Sequence, residues 1–195
     1  MINALVVYES VYGNTHDLAS AIAEGLGGAR CVPVHEAAVE STGRVDLLVV
    51  GGPTHIHGLA TDRSRRVAVA EADQDGGHPI DPSATVEPGL RRWLSELPAS
   101  EGTRAAAFDT RLDKSPWLTG LASRGIARRL RGHGFQVLGR ESFLVRDAEG
   151  PLEDGELERA RAWGAQLAVA LADPDGARAP ARDGGVTVGL GGPRE

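Results

Sequence analysis

Ser10, Gly13, Asn14 and Thr15 stand close together, directly behind the apolar run Ala4-Leu-Val-Val-Tyr8. Two hydroxyls, a glycine that lets backbone approach a ligand, and a helix start capped by Asn14 or Thr15 make a nest of neutral donors suited to a phosphate. Glu9-Ser10-Val11-Tyr12-Gly13-Asn14-Thr15 contains no lysine or arginine, so an anion there would rest on hydroxyls and on the free amides of the helix terminus. The same residues also suit a well-capped turn without a ligand. Two further segments bring polar side chains behind apolar runs: Gly52-Pro53-Thr54-His55-Ile56-His57-Gly58 and Asp109-Thr110-Arg111-Leu112-Asp113.

Other reactive residue types carry less. His55 and His57 with His78 offer three imidazoles, but no cysteine cluster completes a tetrahedral set, and they read as side chains lining a site rather than as metal ligands. Cys31 is the only cysteine, which excludes an internal disulfide and reads as a packed, inert thiol. Arg124, Arg128, Arg129 and Arg131 crowd one helix that ends near Gly132. They suit a solvated face with cations at the negative helix end, or a docking patch for an acidic partner or a nicotinamide nucleotide phosphate. The Gly-Lys-Ser/Thr ending of triphosphate loops, the Gly-x-Gly-x-x-Gly of dinucleotide folds and the Gly-x-Ser-x-Gly of hydrolase elbows are all missing. A phosphorylation receiver needs an aspartate ending its third strand, where Gly51-Gly52-Pro53 stands. No residue is singled out as catalytic.

The elements that position these segments follow from periodicity. Ala4–Tyr8 and Asp46–Gly51 are continuous apolar runs of strand length, the pattern of central parallel strands buried on both faces. Arg104–Asp109, Gln136–Leu138 and Phe143–Val145 are weaker copies, and Arg30–Val34 contains Pro33, which places it at a sheet edge. Leu18, Ile22 and Leu26 step by helical spacing, as do Leu118, Ala122, Ile126 and Leu130, and Leu157 through Leu171. Val86–Leu97 is a further helix, with Pro88 in its first turn. Alternating strands and helices predict an α/β fold, a doubly wound open parallel sheet with helices on both faces. Such sheets bind ligands beyond the carboxyl ends of their strands, where the three polar segments fall. The stretch 61–85, rich in Asp, Gly and Pro, reads as a loop or lid with a short helix near 62–72. Residues 1–173 form the expected domain, and 174–195 read as a flexible tail with little to bury.

The chain has 195 residues, 41% hydrophobic and 25% charged, enough apolar content for one globular domain. Its formal charge of −6 argues against a nucleic-acid binder. No apolar run reaches the length of a membrane span, and Glu9 interrupts any secretory segment, so a cytoplasmic location is expected.

Ser10-Val-Tyr-Gly-Asn-Thr15 behind a buried first strand resembles the phosphate loop of the flavodoxin family, in which a serine or threonine opens, and Gly-x-Thr closes, a loop around the phosphate of flavin mononucleotide (FMN). The second and third polar segments fall where that family places its two flavin-ring loops, and the resemblance extends over roughly residues 3–171. Three positions depart from it. Tyr12 stands where many flavodoxins have threonine, His55-Ile56-His57 replaces the usual tryptophan, and the third segment lacks the usual tyrosine.

The resemblance implies five strands in the order 2-1-3-4-5 and FMN as cofactor. It places Ser10, Val11, Tyr12, Gly13, Asn14 and Thr15 at the phosphate, and Pro53, Thr54, His55, Ile56, His57, Gly58, Asp109, Thr110 and Arg111 around ribityl and ring. It also implies electron transfer through bound flavin, with a redox partner protein or a small-molecule acceptor. Two other readings stand beside this one: a small FMN-dependent oxidoreductase passing electrons from NAD(P)H to a quinone, and a module that has lost FMN and only binds a partner.

Overall fold

Ala4–Tyr8 forms the first strand, β1, and all five of its side chains are buried. Burial on both faces removes the need for polar alternation, which explains the unbroken apolar run. The computed structural model describes residues 2–55, 58–60, 66–67, 70, 80–113, 120–147 and 149–172. In it β1 lies between β2 (Arg30–Pro33) and β3 (Leu47–His55), parallel to both. A two-residue strand, β4 (Gly58–Leu59), turns back antiparallel on the end of β3. β5 (Arg104–Leu112) pairs with β3, and β6 (Gln136–Val145) with β5, again parallel. The main strands run in the order β2-β1-β3-β5-β6, which is the expected five-stranded order with one short strand inserted in the numbering. Pro33 sits on edge strand β2, opposite Tyr8.

Successive residues of each strand feed two cores. Leu5, Val7, Leu48, Val50, Ala105 and Ala107 meet α2 (Leu90–Ser95) and α3 (Ala122–Gly132) on one face. Val6, Tyr8, Val49, Ala106 and Phe108 meet α1 (Asn14–Gly25) and α4 (Glu156–Ala172) on the other. On this second face Phe108, Phe143 and Trp163 meet edge to face, with centroids 6.2–6.4 Å apart. Gly51 leaves room for the Phe108 ring, which a Cβ at that position would overlap. α1 and α4 approach closely at two glycines: a Cβ on Gly25 would strike the Arg161 carbonyl, and one on Gly164 the Ile22 carbonyl.

Several boundaries differ from the periodic pattern. β3 runs four residues past Gly51 and β5 continues through Leu112, because Gly52 and Pro53 keep pairing with Asp109 and Thr110. β1 has ended at that level, so Pro53 interrupts no three-strand ladder. β6 is one strand rather than two runs. Its register against β5 shifts between Ala105 and Ala106, where Val137 and Gly139 are the successive partners, and this irregularity breaks the apolar pattern. α2 begins at Leu90, later than the expected Val86, because the buried Glu9 Oε2 accepts from the Leu90 amide at 2.7 Å and supplies the cap there. Pro88 lies ahead of the helix. Within the expected lid, Arg66, Val67 and Ala70 are helical, Ile80 and Asp81 lie in neither helix nor strand, and Pro82–Thr85 forms a 3-10 turn; residues 61–65, 68–69 and 71–79, and the 174–195 tail, lie outside the described residues.

Candidate functional site

Chain reversal between β1 and α1 builds the first part of the site. Gly13 takes φ +89°, a left-handed conformation that glycine reaches freely, and a Cβ on it would project into open space. It is the N-cap of α1, and among the described residues no side chain caps that helix. The expected caps are engaged elsewhere: Asn14 Nδ2 donates to the Glu149 carbonyl at 2.9 Å, and Thr15 Oγ1 lies 3.1 Å from Thr110 Oγ1. The first-turn amides therefore keep their positive end for something other than a side chain. Ser10 and Thr15 are both buried, and Ser10 Oγ accepts from the Gly13 amide at 3.1 Å. Having accepted there, the Ser10 hydroxyl keeps its own proton for a second partner. Val11 is buried and its carbonyl accepts from the Asp81 amide at 2.8 Å; Tyr12 is half-buried.

Residues that the sequence reading did not single out brace this loop. Asp147 Oδ1 accepts from the amides of Glu149 and Gly150, and the resulting turn holds Gly150 against the Asn14 side chain. Its signal is the Asp-x-x-Gly spacing, which names a turn but not its neighbour. His16 stacks on Tyr8 with centroids 4.7 Å apart and places Nδ1 3.4 Å from Asp81 Oδ2. Burial, followed by the Asp81 charge, pushes the Tyr8 hydroxyl well above its ordinary range, so Tyr8 stays protonated at any working pH.

The other two segments are strand ends rather than free loops. Pro53, Thr54 and the His55 backbone belong to β3, with His55 opposite Gly58 of β4. Gly58 takes φ +135°, which other residues rarely adopt. Ile56, His57 and the His55 side chain lie outside what the structure describes. Asp109, Thr110 and Arg111 belong to β5, and Arg111 Nη1 donates to the Leu112 carbonyl at 3.0 Å. Thr110 is brought to Thr15. Thr54 and Asp109 turn instead to the start of α3: Thr54 Oγ1 accepts from the Ala122 amide at 3.0 Å and Asp109 Oδ2 from the Ser123 amide at 2.7 Å. They therefore anchor α3 to the sheet beneath the strand ends.

Asp109 is fully buried, and desolvation pushes its carboxyl above the ordinary carboxylate value. The Ser123 amide and the hydroxyls of Ser142, Ser123 and Thr54 pull the other way. Among the described residues Oδ1 is buried without a hydrogen-bond partner, and so is Ser123 Oγ. The desolvation cost therefore outweighs the compensation. A carboxyl raised in the folded state is neutral in both states at low pH, and its stabilising share is lost as pH climbs from about 4 through the folded value. Asp109→Asn keeps an acceptor for the Ser123 amide and cannot ionise. Its stability relative to the parent should rise between pH 4 and pH 8, read from urea midpoints; parallel profiles would show that Asp109 ionises without cost.

Cys31 is half-buried, and burial pushes its thiol up to about 11, which leaves little thiolate at neutral pH. Among the described residues no three of His, Cys, Asp and Glu are grouped to hold a metal ion, and no helix is long and apolar enough to cross a membrane. His57 and His78 lie outside those residues.

No protein-family model matches the chain, and no curated protein is recognisably related to it in sequence. Solved structures do resemble it. A flavodoxin from the domain Archaea superposes with a TM-score of 0.56 at 18% identity, covering 88% of this chain and 100% of that one. A flavodoxin, WrbA-like protein from Agrobacterium tumefaciens gives 0.53 at 19% identity over 88% and 98%. A Streptococcus pneumoniae flavodoxin gives 0.56 at 14% identity over 86% and 97%. At these identities the likeness concerns backbone architecture, and it agrees with the β2-β1-β3-β5-β6 order read from the strand ladders. The chain has the flavodoxin fold.

Proposed function

We propose that this protein binds FMN at the carboxyl ends of β1, β3 and β5 and transfers electrons through it to a redox partner. The observation that carries the reading is the start of α1: an uncapped helix terminus, opened by Gly13 and flanked by the buried hydroxyls of Ser10 and Thr15. It lies where strand order reverses, between β1 and β3, the position at which doubly wound sheets take their ligands. The donor set fits a phosphate: two hydroxyls and the helix amides hold the anion without a cationic side chain.

In this reading Ser10 and Thr15 donate to the phosphate, and Asn14, tied to Glu149, fixes the loop. Thr110 orients Thr15. Thr54 and Asp109 hold α3, while the other residues of the Pro53–Gly58 and Asp109–Arg111 segments form the walls for ribityl and ring. FMN, when bound, supplies reversible one- or two-electron exchange, and the protein supplies position and electrostatics. Residues 1–173 are the binding unit and 174–195 a tail outside it.

The purified protein should take up FMN stoichiometrically and bind riboflavin far more weakly, because the clearest donors address the phosphate. Calorimetric titration with both ligands tests this. Equal affinities would remove the phosphate loop from the reading, and no uptake of either would leave an interaction module. Unaided turnover of NADPH with a quinone would identify an oxidoreductase rather than a carrier.

A further inference from the structure

On the face of the sheet covered by α2 and α3, two guanidinium groups lie beside β4, and a third acts on one of them. Arg91 of α2 donates Nε to the Ala60 carbonyl at 3.0 Å and Nη2 to the Leu59 carbonyl at 2.6 Å. Arg129 of α3 donates Nη1 to the Gly125 carbonyl at 3.2 Å. α3 lies close to β4 here, since a Cβ on Gly125 would stand 3.7 Å from Leu59 Cβ and 3.6 Å from Arg129 Nη1. Burial, then the charges of Arg91 and Arg128, lower the Arg129 proton affinity, which places Arg129 in the field of both.

Among the described residues, none of these three forms an ion pair. Arg92 beside them is paired with Glu96, and the half-buried Arg159 elsewhere is held by Glu141 and Glu156. Acidic residues outnumber basic ones in this chain by 27 to 21, so counter-charges are not scarce. The negative end of α3 accounts for Arg129 and Arg131 in its last turn. It does not account for Arg91, which belongs to another helix, or for the exposed Arg124 and Arg128, which share one face at i, i+4. An uncompensated cationic patch on an acidic protein is a local field that selects negative partners.

We infer that the surface of α2 and α3 beside β4, centred on Arg91, Arg128 and Arg129 and extended by Arg124, docks an acidic protein. That the docked protein exchanges electrons with bound FMN rests on the proposed function. Leu59 and Ala60 follow directly on Gly58 of the second polar segment, so a partner held here stands beside the strand ends. The patch suits a protein surface better than a nucleotide phosphate for a geometric reason. Arg91 and Arg129 already direct donors at backbone carbonyls, so they act through charge, whereas bidentate phosphate recognition needs a free guanidinium fork.

The test uses the full chain and a fluorescein-labelled decaglutamate peptide, followed by anisotropy at low and moderate salt. Arg124 and Arg128 are exposed and their side chains make no hydrogen bond among the described residues, so R124E/R128E should fold normally, as circular dichroism would verify. The parent should bind the peptide with an affinity that falls with salt, and R124E/R128E should lose about tenfold or more. The comparison variant R30E/R44E makes the same change in net charge at exposed positions on edge strand β2 and at the end of the Val39–Arg44 3-10 segment, and should bind like the parent. Equal weakening in both variants would mean that net charge alone acts, and would overturn the proposal. So would absence of peptide binding by the parent, or displacement of the peptide by NADPH, which would assign the patch to a nucleotide. FMN uptake is measured on the same samples. Loss of peptide binding with FMN retained in R124E/R128E supports the docking surface, whereas a parent that binds peptide but no FMN keeps that surface and removes only its electron-transfer role.

Discussion

Gly164→Ala is expected to lower stability by ~1–3 kcal/mol, the usual cost of forcing an extra methyl into a filled interface. Helix propensity alone predicts the opposite sign, because alanine is better than glycine in a helix interior by ~1 kcal/mol. Contact decides against propensity here. The new Cβ would overlap the Ile22 carbonyl of α1. A carbonyl within a helix cannot rotate away without breaking the helical ladder, so α1 and α4 must separate, and Leu18, Ile22, Ala160, Trp163 and Leu167 would lose contact between them. Gly25→Ala, whose Cβ would strike the Arg161 carbonyl, should behave alike. Gly132→Ala is the control: a Cβ there meets nothing within 4 Å, and the change should be neutral or slightly stabilising. Thermal unfolding reads all three, at about 2–4 °C per kcal/mol for a chain of this size. If Gly164→Ala melts at or above the parent temperature, the close crossing of α1 and α4 is wrong.

Thr15→Val should reduce FMN affinity roughly 10- to 150-fold, the equivalent of one hydrogen bond to a charged acceptor at ~1.5–3 kcal/mol. Valine keeps the volume of a buried side chain and removes only the hydroxyl. The contact with Thr110 adds a second, separable expectation. With 3.1 Å between the two oxygens, one hydroxyl donates to the other; if Thr110 donates, Thr15 keeps its proton for the phosphate. Thr110→Val should then weaken FMN binding by less than Thr15→Val, and the double variant should lose little beyond Thr15→Val alone. Fully additive losses in that cycle would show that Thr110 acts independently of Thr15. Unchanged FMN affinity in Thr15→Val would remove it from the phosphate site altogether. Riboflavin, which lacks the phosphate, provides the internal comparison, since its binding should respond little to either substitution.

Continuous apolar runs and helical spacing were sufficient to identify the fold class, because burial of a strand on both faces and of a helix on one leaves a periodic record in consecutive residues. The alternation of those runs led to a doubly wound sheet, and Ser10 through Thr15 marked where an anion is to be expected, since both signals are local in the chain. What local signals could not contain is which distant group completes each polar residue. Thr54 and Asp109 stand in segments that read as ligand loops, yet their side chains accept from the Ala122 and Ser123 amides, and their strands continue because they keep pairing with each other. α2 starts at Leu90 because a carboxylate 81 residues away in sequence accepts from its amide. Gly164 fitted the helical spacing of α4, but only the approach of the Ile22 carbonyl gives a reason for glycine there. The arginine-rich helix suits a solvated face or a docking patch when its own residues are considered alone, and only the assembled fold places Arg91 beside it from another element. Periodicity records the burial of each element, whereas hydrogen-bond partners, close backbone approach and uncompensated charge depend on distances between elements, which exist only once the sheet has assembled.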